Sequence, residues 1–169
     1  GGEMDFRYNQ VLNEELTNAD CGSIVVSFGT LNDLVAPYLA KFASEELKQK
    51  YLAPMNAGDL IGCLAMTEPG AGSDLAGMRT FAKRDGDHWV LNGSKTFISN
   101  GMLSDFALVA AITDPSKGRA GVSMFVVDTG LEGYTKTGPL KKVGLKAQDT
   151  AELHFDNVRV PAENLLGEE

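Results

Sequence analysis

Only two cysteines, two histidines and one tryptophan occur in 169 residues. Cys21 and Cys63 stand in unrelated contexts, without a CxxC pair or a secretory framework. That excludes a disulfide scaffold and predicts two buried thiols in a reducing compartment. His88 and His154 lie in strand-like runs beside polar residues and read as neither catalytic nor metal-ligating. Basic residues are also scarce: 15 Lys and Arg against 23 Asp and Glu, a net charge of −8. With no basic stripe to offset that charge, nucleic-acid partners are excluded. No apolar run approaches the ~20 residues of a membrane span. The start, GGEMDF, carries no initiator Met, charged n-region or apolar h-region, and the end, NLLGEE, has no closing element. No targeting segment is visible, and a piece cut from a longer chain is the expectation.

What is present is a soluble, globular composition, 43% hydrophobic and 22% charged, with enough apolar residues for a sizeable core. The pattern changes near residue 59. Phe6, Val11, Leu12 and Leu16 fit an amphipathic helix ending near Asp20. An apolar helical stretch from Ser23 to Phe42 is expected to break or bend at Pro37. Ser44 then caps a helix with Glu45 and Glu46 in its first turn and Leu47, Tyr51 and Leu52 on its buried side, ended by PMNAGD. Beyond residue 59 come seven strand-like runs: IGCLAM, TFAKRD, HWVLNG, KTFISN, FALVAAIT, GVSMFVVD and AELHFDNVRV. Asp85-Gly86 and Asn92-Gly93 are tight-turn signals. Helices are missing between these runs, which points to an antiparallel barrel or sandwich rather than a βαβ fold. The expected organisation is α+β: helices over 1–58 and a β domain over 59–169.

Two clusters carry chemistry. MTEPGAGSD, Met66 to Asp74, leaves a strand with Gly70 and Gly72 in place, exposing backbone N–H groups to close approach, while Thr67 and Ser73 add hydroxyls. It suits a cradle for a phosphate-bearing cofactor, yet it matches no GxGxxG or GK[ST] fingerprint, and a tight structural turn reads equally well. The second cluster, NGSKTFISNG, places Phe97 and Ser99 on one strand face, where a flat heteroaromatic ring could meet the phenyl and the hydroxyl. A core phenylalanine is the plainer alternative.

Together, Thr67–Asp74 and Gly93–Gly101 resemble the two flavin segments of the acyl-CoA dehydrogenase family, and GLKAQDTAELHFDNVRVP, Gly144 to Pro161, is similar to the stretch that closes its middle β domain. The resemblance covers essentially the whole chain and leans to the long-chain branch. It implies a partial N-terminal helical domain followed by an antiparallel, barrel-like β domain. It further implies that Leu64, Ala65, Met66, Thr67, Glu68, Pro69, Gly70, Ala71, Gly72 and Ser73 line FAD, with Phe97, Ile98 and Ser99 over one face of the isoalloxazine and Ser99 near N5. Many relatives carry Trp-Ile-Thr in that triplet. Phe keeps the apolar cover without the indole N–H, and Ser keeps the hydroxyl without the β-branch that fixes its rotamer. Ser73, Arg119 and Ala120 would touch the CoA substrate, although a surface loop is the competing reading for Arg119 and Ala120.

The implied reaction is α,β-dehydrogenation of acyl-CoA to trans-2-enoyl-CoA, with an electron-transfer flavoprotein as electron acceptor. The implied assembly is a homo-oligomer, commonly a tetramer, in the bacterial cytoplasm or the mitochondrial matrix. The base is expected downstream of Glu169. Glu68, ahead of Pro69, reads as a structural acceptor that holds the turn, and Asp74 as the cap of a following turn. Lys141, Lys142 and Lys146 read as solvated charge. Two alternatives stay open: an acyl-CoA oxidase or another flavoenzyme of the family, and a flavin-binding scaffold without turnover.

Overall fold

The computed structural model describes residues 5–167, without the side chain of Ala76. Helix α1 (Phe6–Asn18) begins at Asp5, whose carboxylate accepts the Arg7 N–H at 3.0 Å. The expected helix forms, but it buries no residue, and Phe6, Val11 and Leu12 face outward.

Next comes one continuous rod, Gly22–Phe42, made of α2 (Gly22–Gly29), a π-helical segment Thr30–Val35, and α3 (Ala36–Phe42). The break expected at Pro37 is absent. Proline lacks an N–H and its ring crowds the carbonyl four residues back. The π-turn widens the ladder immediately before it and absorbs both demands. The same device recurs in the second rod, where Lys48–Leu52 is π-helical between α4 (Glu45–Leu47) and α5 (Ala53–Ala57), and Pro54 follows it. This rod is capped at its start by the Ser44 hydroxyl, which accepts the Leu47 N–H, and at its end by Gly58 in a left-handed conformation (φ 87°). By length and composition alone, Gly22–Phe42 is apolar enough to cross a membrane, contrary to the reading of the runs, although Asp33 and Lys41 interrupt it.

The helices meet the sheet through a stripe recurring every four residues: Val35, Leu39, Ala43, Leu47, Tyr51 and Met55. They pack on Phe106, Leu108, Val126 and Leu166. Each large side chain buried this way contributes about 1.5–3 kcal/mol.

The sheet has eight strands among the described residues: β1 (Gly62–Ala65), β2 (Phe81–Asp85), β3 (His88–Ser99), β4 (Phe106–Ile112), β5 (Val122–Asp128), β6 (Tyr134–Thr137), β7 (Thr150–Pro161) and β8 (Leu165–Leu166). They run in the order β6-β7-β3-β2-β4-β5-β8, with β1 beside β4. The sheet is mixed rather than wholly antiparallel, because β4 lies parallel to both β1 and β2. Its ends, β6 and β8, do not pair, so the barrel-like curl stays open. β4 is buried on both faces. Phe106 and Leu108 meet the helices, while Ala107, Val109 and Ala111 join Trp89, Leu91, Phe125 and Leu153 in the second core.

Asn92-Gly93 is not a turn. The two runs flanking it form the single strand β3, paired along its length with β7. The pairing slips between Leu91 and Gly93, where β7 holds the extra residue, and again between Lys95 and Ile98, where β3 does. Gly93 (φ 145°) lies so close to β2's start that an added Cβ would sit 2.4 Å from the Thr80 hydroxyl.

Candidate functional site

The segment leaving β1 folds back on itself. Glu68 N–H donates to the Ala71 carbonyl at 2.9 Å and Ala71 N–H returns to the Glu68 carbonyl at 3.1 Å, closing a turn over Pro69 and Gly70. Ala71 is buried beneath it, while Gly70, Gly72 and Ser73 are exposed. An added Cβ at Gly70 or Gly72 would meet no atom within 4 Å, and neither residue has a left-handed φ. The fold itself therefore does not require glycine at either place. Both bare stretches of backbone face open space, as contact with a flat or anionic ligand demands.

The turn is fastened from below. The Glu68 carboxylate is buried and accepts N–H groups from Arg79 (2.7 Å) and Thr80 (3.0 Å) and the Lys95 ammonium (2.9 Å). Lys95, 0% exposed, also donates to the Met66 carbonyl at 3.0 Å. Burial by itself raises the Glu68 pKa, but Lys95 and the two N–H groups outweigh it and hold the carboxyl below its usual range. Burial, only partly offset by Glu68, pushes the Lys95 ammonium below its ordinary value. Glu68 thus holds the turn, as its position before Pro69 suggested, and its carboxylate points away from the exposed face. Lys95 is the residue that sequence reasoning missed.

The second segment adjoins the first. Thr96 N–H donates to the Thr67 carbonyl at 2.9 Å, and the Thr67 hydroxyl donates to the Thr96 carbonyl. Phe97 follows, with φ 58° at the β3 bulge and 71% of its surface exposed. A bulky residue in the left-handed region is strained, and such strain gathers at functional sites. Ile98 turns inward to the core and Ser99 is half-buried. Ala65, Ala71 and Ile98 are buried and offer a ligand almost no surface, and Leu64 leans on the helix-facing core.

On the other side of Met66 opens a cleft of about 430 Å³, lined by Met66, Ser73, Met78, Met124, Arg119 and Tyr38 among others. Tyr38 comes from α3, so the rod and the sheet share this cleft. Arg119 lies in a 3-10 segment, Pro115–Gly121, that begins where Asp114 accepts the Ser116 N–H. Ala120 is exposed and does not line the cleft. Among the described residues, no carboxylate lines it.

Other expectations shift. His88 does have an acidic neighbour, its Nδ1 lying 2.6 Å from Asp87, and His154 Nε2 is 3.9 Å from Glu152; both pairs lie well away from full burial. Cys63 is buried and its thiol is pushed up to about 12 by desolvation, whereas Cys21 is only half-buried. Lys142 is not free charge: it donates to Gln148 Oε1 (2.7 Å) and Thr150 Oγ1 (2.9 Å).

Comparison with known proteins settles the family. Residues 1–59 match the N-terminal domain of acyl-CoA dehydrogenases and residues 63–158 the middle domain. The chain belongs to the acyl-CoA dehydrogenase family. It is 54% identical over 144 residues to the mitochondrial long-chain specific acyl-CoA dehydrogenase of Sus scrofa, covering 84% of this chain and 34% of that protein. The crystal structure of the acyl-CoA dehydrogenase from Geobacillus kaustophilus superposes with a TM-score of 0.93 at 51% identity, over 100% of this chain and 44% of that one. A glutaryl-CoA dehydrogenase from Mycobacterium smegmatis, solved in complex with FADH2, superposes with a TM-score of 0.86 at 39% identity, over 95% and 40%. The chain thus spans between about a third and under half the length of these family members. Their fold, helices followed by a sheet domain, is the one seen here.

Proposed function

We propose that this chain forms the flavin and thioester cradle of an FAD-dependent acyl-CoA dehydrogenase. Residues 1–58 are read as part of its N-terminal helical domain and 59–169 as its middle β domain. The observation that carries the reading is the pair of exposed glycines, Gly70 and Gly72, whose bare backbone serves no need of the fold, beside the strained and exposed Phe97. The backbone N–H groups of Thr67, Gly70, Gly72 and Ser73 are suited to the flavin ring and pyrophosphate, and Phe97 and Ser99 to one face of the isoalloxazine. FAD, when bound, supplies the electron acceptor for α,β-dehydrogenation of an acyl-CoA to its trans-2-enoyl-CoA. The chain's own share is orientation and exclusion of water. The methionine-rich cleft takes the apolar acyl and pantetheine portions, while Ser73 and Arg119 meet the polar ones.

The base that removes the α-proton is proposed to come from outside these residues, a reading that the carboxylate-free cleft lining supports. The identity to the porcine long-chain specific enzyme supports a long-chain acyl-CoA substrate, and with it a place in fatty-acid β-oxidation is proposed. An electron-transfer flavoprotein as acceptor, a homotetrameric full-length protein, and a mitochondrial or bacterial cytoplasmic compartment complete the proposal.

The test is titration of FAD into the purified chain by flavin fluorescence anisotropy, with mass-spectrometric assay of palmitoyl-CoA in parallel. Weak, saturable binding without enoyl-CoA formation is expected. Turnover by this chain alone, or no FAD binding at millimolar concentration, overturns the reading.

A further inference from the structure

Along β3 the core-facing positions are set by pairing with β7: Trp89 lies opposite Val160, Leu91 opposite Val158, Lys95 opposite Leu153 and Ile98 opposite Ala151. Three of these four levels follow the rule that a core position is apolar. Lys95 breaks it, with a fully buried ammonium facing the same core as Leu153. Burying a cation and a carboxylate is a net loss unless the geometry returns it, and well-packed apolar pairs are commonly more stable. Stability alone therefore gives no reason for a lysine here.

What the ammonium touches does. It reaches the Met66 carbonyl and the Glu68 carboxylate, which in turn grips the N–H groups of Arg79 and Thr80. One cation thus fixes where the chain leaves β1 and the direction in which the Glu68–Ala71 turn presents its backbone. We propose that Lys95 is a positioning residue for the cofactor: through Glu68 and Met66 it aims the amides of Gly70, Gly72 and Ser73, and it is retained for that orientation rather than for stability. This rests on the flavin reading above. It accounts for Gly93 as well, since the bare backbone there lets Thr80 come close enough to serve Glu68.

The test compares the wild-type chain with Lys95→Met and with Lys95→Met/Glu68→Gln, which removes both charges and keeps one acceptor oxygen for the Arg79 or the Thr80 amide. Three quantities are read: melting temperature, FAD affinity, and hydrogen exchange at the Glu68 and Ala71 amides. Lys95→Met should melt lower and bind FAD at least tenfold more weakly. The double variant should recover the melting temperature while FAD affinity stays lowered and both amides exchange faster than in wild type. Recovery of all three in the double variant overturns the proposal, because the pair is then an ordinary buried ion pair. Wild-type chain that binds no FAD overturns the flavin reading itself and removes this inference with it, whatever the variants do.

Discussion

Thr67 and Thr96 are joined twice, by the Thr96 N–H on the Thr67 carbonyl at 2.9 Å and by the Thr67 hydroxyl on the Thr96 carbonyl. Twenty-nine residues separate them in the chain. The link makes one continuous surface of the bare turn after β1 and the exposed Phe97, so altering either should be felt by the same ligand.

Gly70→Ala and Gly72→Ala separate ligand contact from folding. A Cβ at either site meets nothing in the protein, and losing glycine's freedom in the unfolded chain stabilises by roughly 0.4–1 kcal/mol. Melting should be unchanged or slightly raised while FAD affinity drops at least tenfold. A fall in melting temperature with affinity intact would count against the cradle.

Phe97→Gly should make the chain more stable. It relieves a left-handed aromatic residue that buries little, a gain of about 1 kcal/mol from the backbone term alone. Urea unfolding measures the gain, and FAD titration of the same variant should show weaker binding.

Gly93→Ala behaves oppositely. The new Cβ would press on both the hydroxyl and the Cα of Thr80 at a φ of 145°, where side chains are strained. A loss of about 2 kcal/mol or more in urea unfolding is expected, on the scale of core overpacking. Amide exchange at Thr80 should rise with it.

Acid should act through Glu68. Its folded pKa lies below the unfolded value, so in the range between them the unfolded chain binds more protons and acidification favours unfolding. The contribution is fully present above the usual carboxylate range near pH 4.5 and is lost as pH falls through the folded value. Thermal melts from pH 7 to pH 3 should therefore fall less steeply for Glu68→Gln than for wild type.

Much of this was legible in the residues, and the failures have physical causes. The turn-rich motif and the Phe-Ile-Ser triplet stood out through their likeness to the family's two flavin segments; local chemistry alone read the first equally well as a structural turn and the second more plainly as a core phenylalanine. That the two touch was not legible, since it depends on which strands pair. Asn92-Gly93 misled because a local turn signal is overruled by the pairing of a twelve-residue strand with β7. Pro37 misled because a π-turn tolerates what an α-turn does not. Tyr134–Thr137 and Leu165–Leu166 were too short to show a period. Lys95 hid because a lysine in a strand ordinarily belongs to the solvent side.

The two irregularities between β3 and β7 cancel. β7 gains a residue near Asn157, β3 gains one near Phe97, and beyond them Ser99 faces Thr150 in the alignment with which His88 faces Pro161. Excising Phe97 alone would remove the β3 bulge and leave its flanking pairs in place, Lys95 opposite Leu153 and Ile98 opposite Ala151. Excising Asn157 alone would likewise leave Leu91 opposite Val158 and Gly93 opposite Phe155. A single-residue gap at either place is therefore the form in which length variation in this ribbon should be tolerated, while one elsewhere would exchange the inner and outer sides of every residue after it.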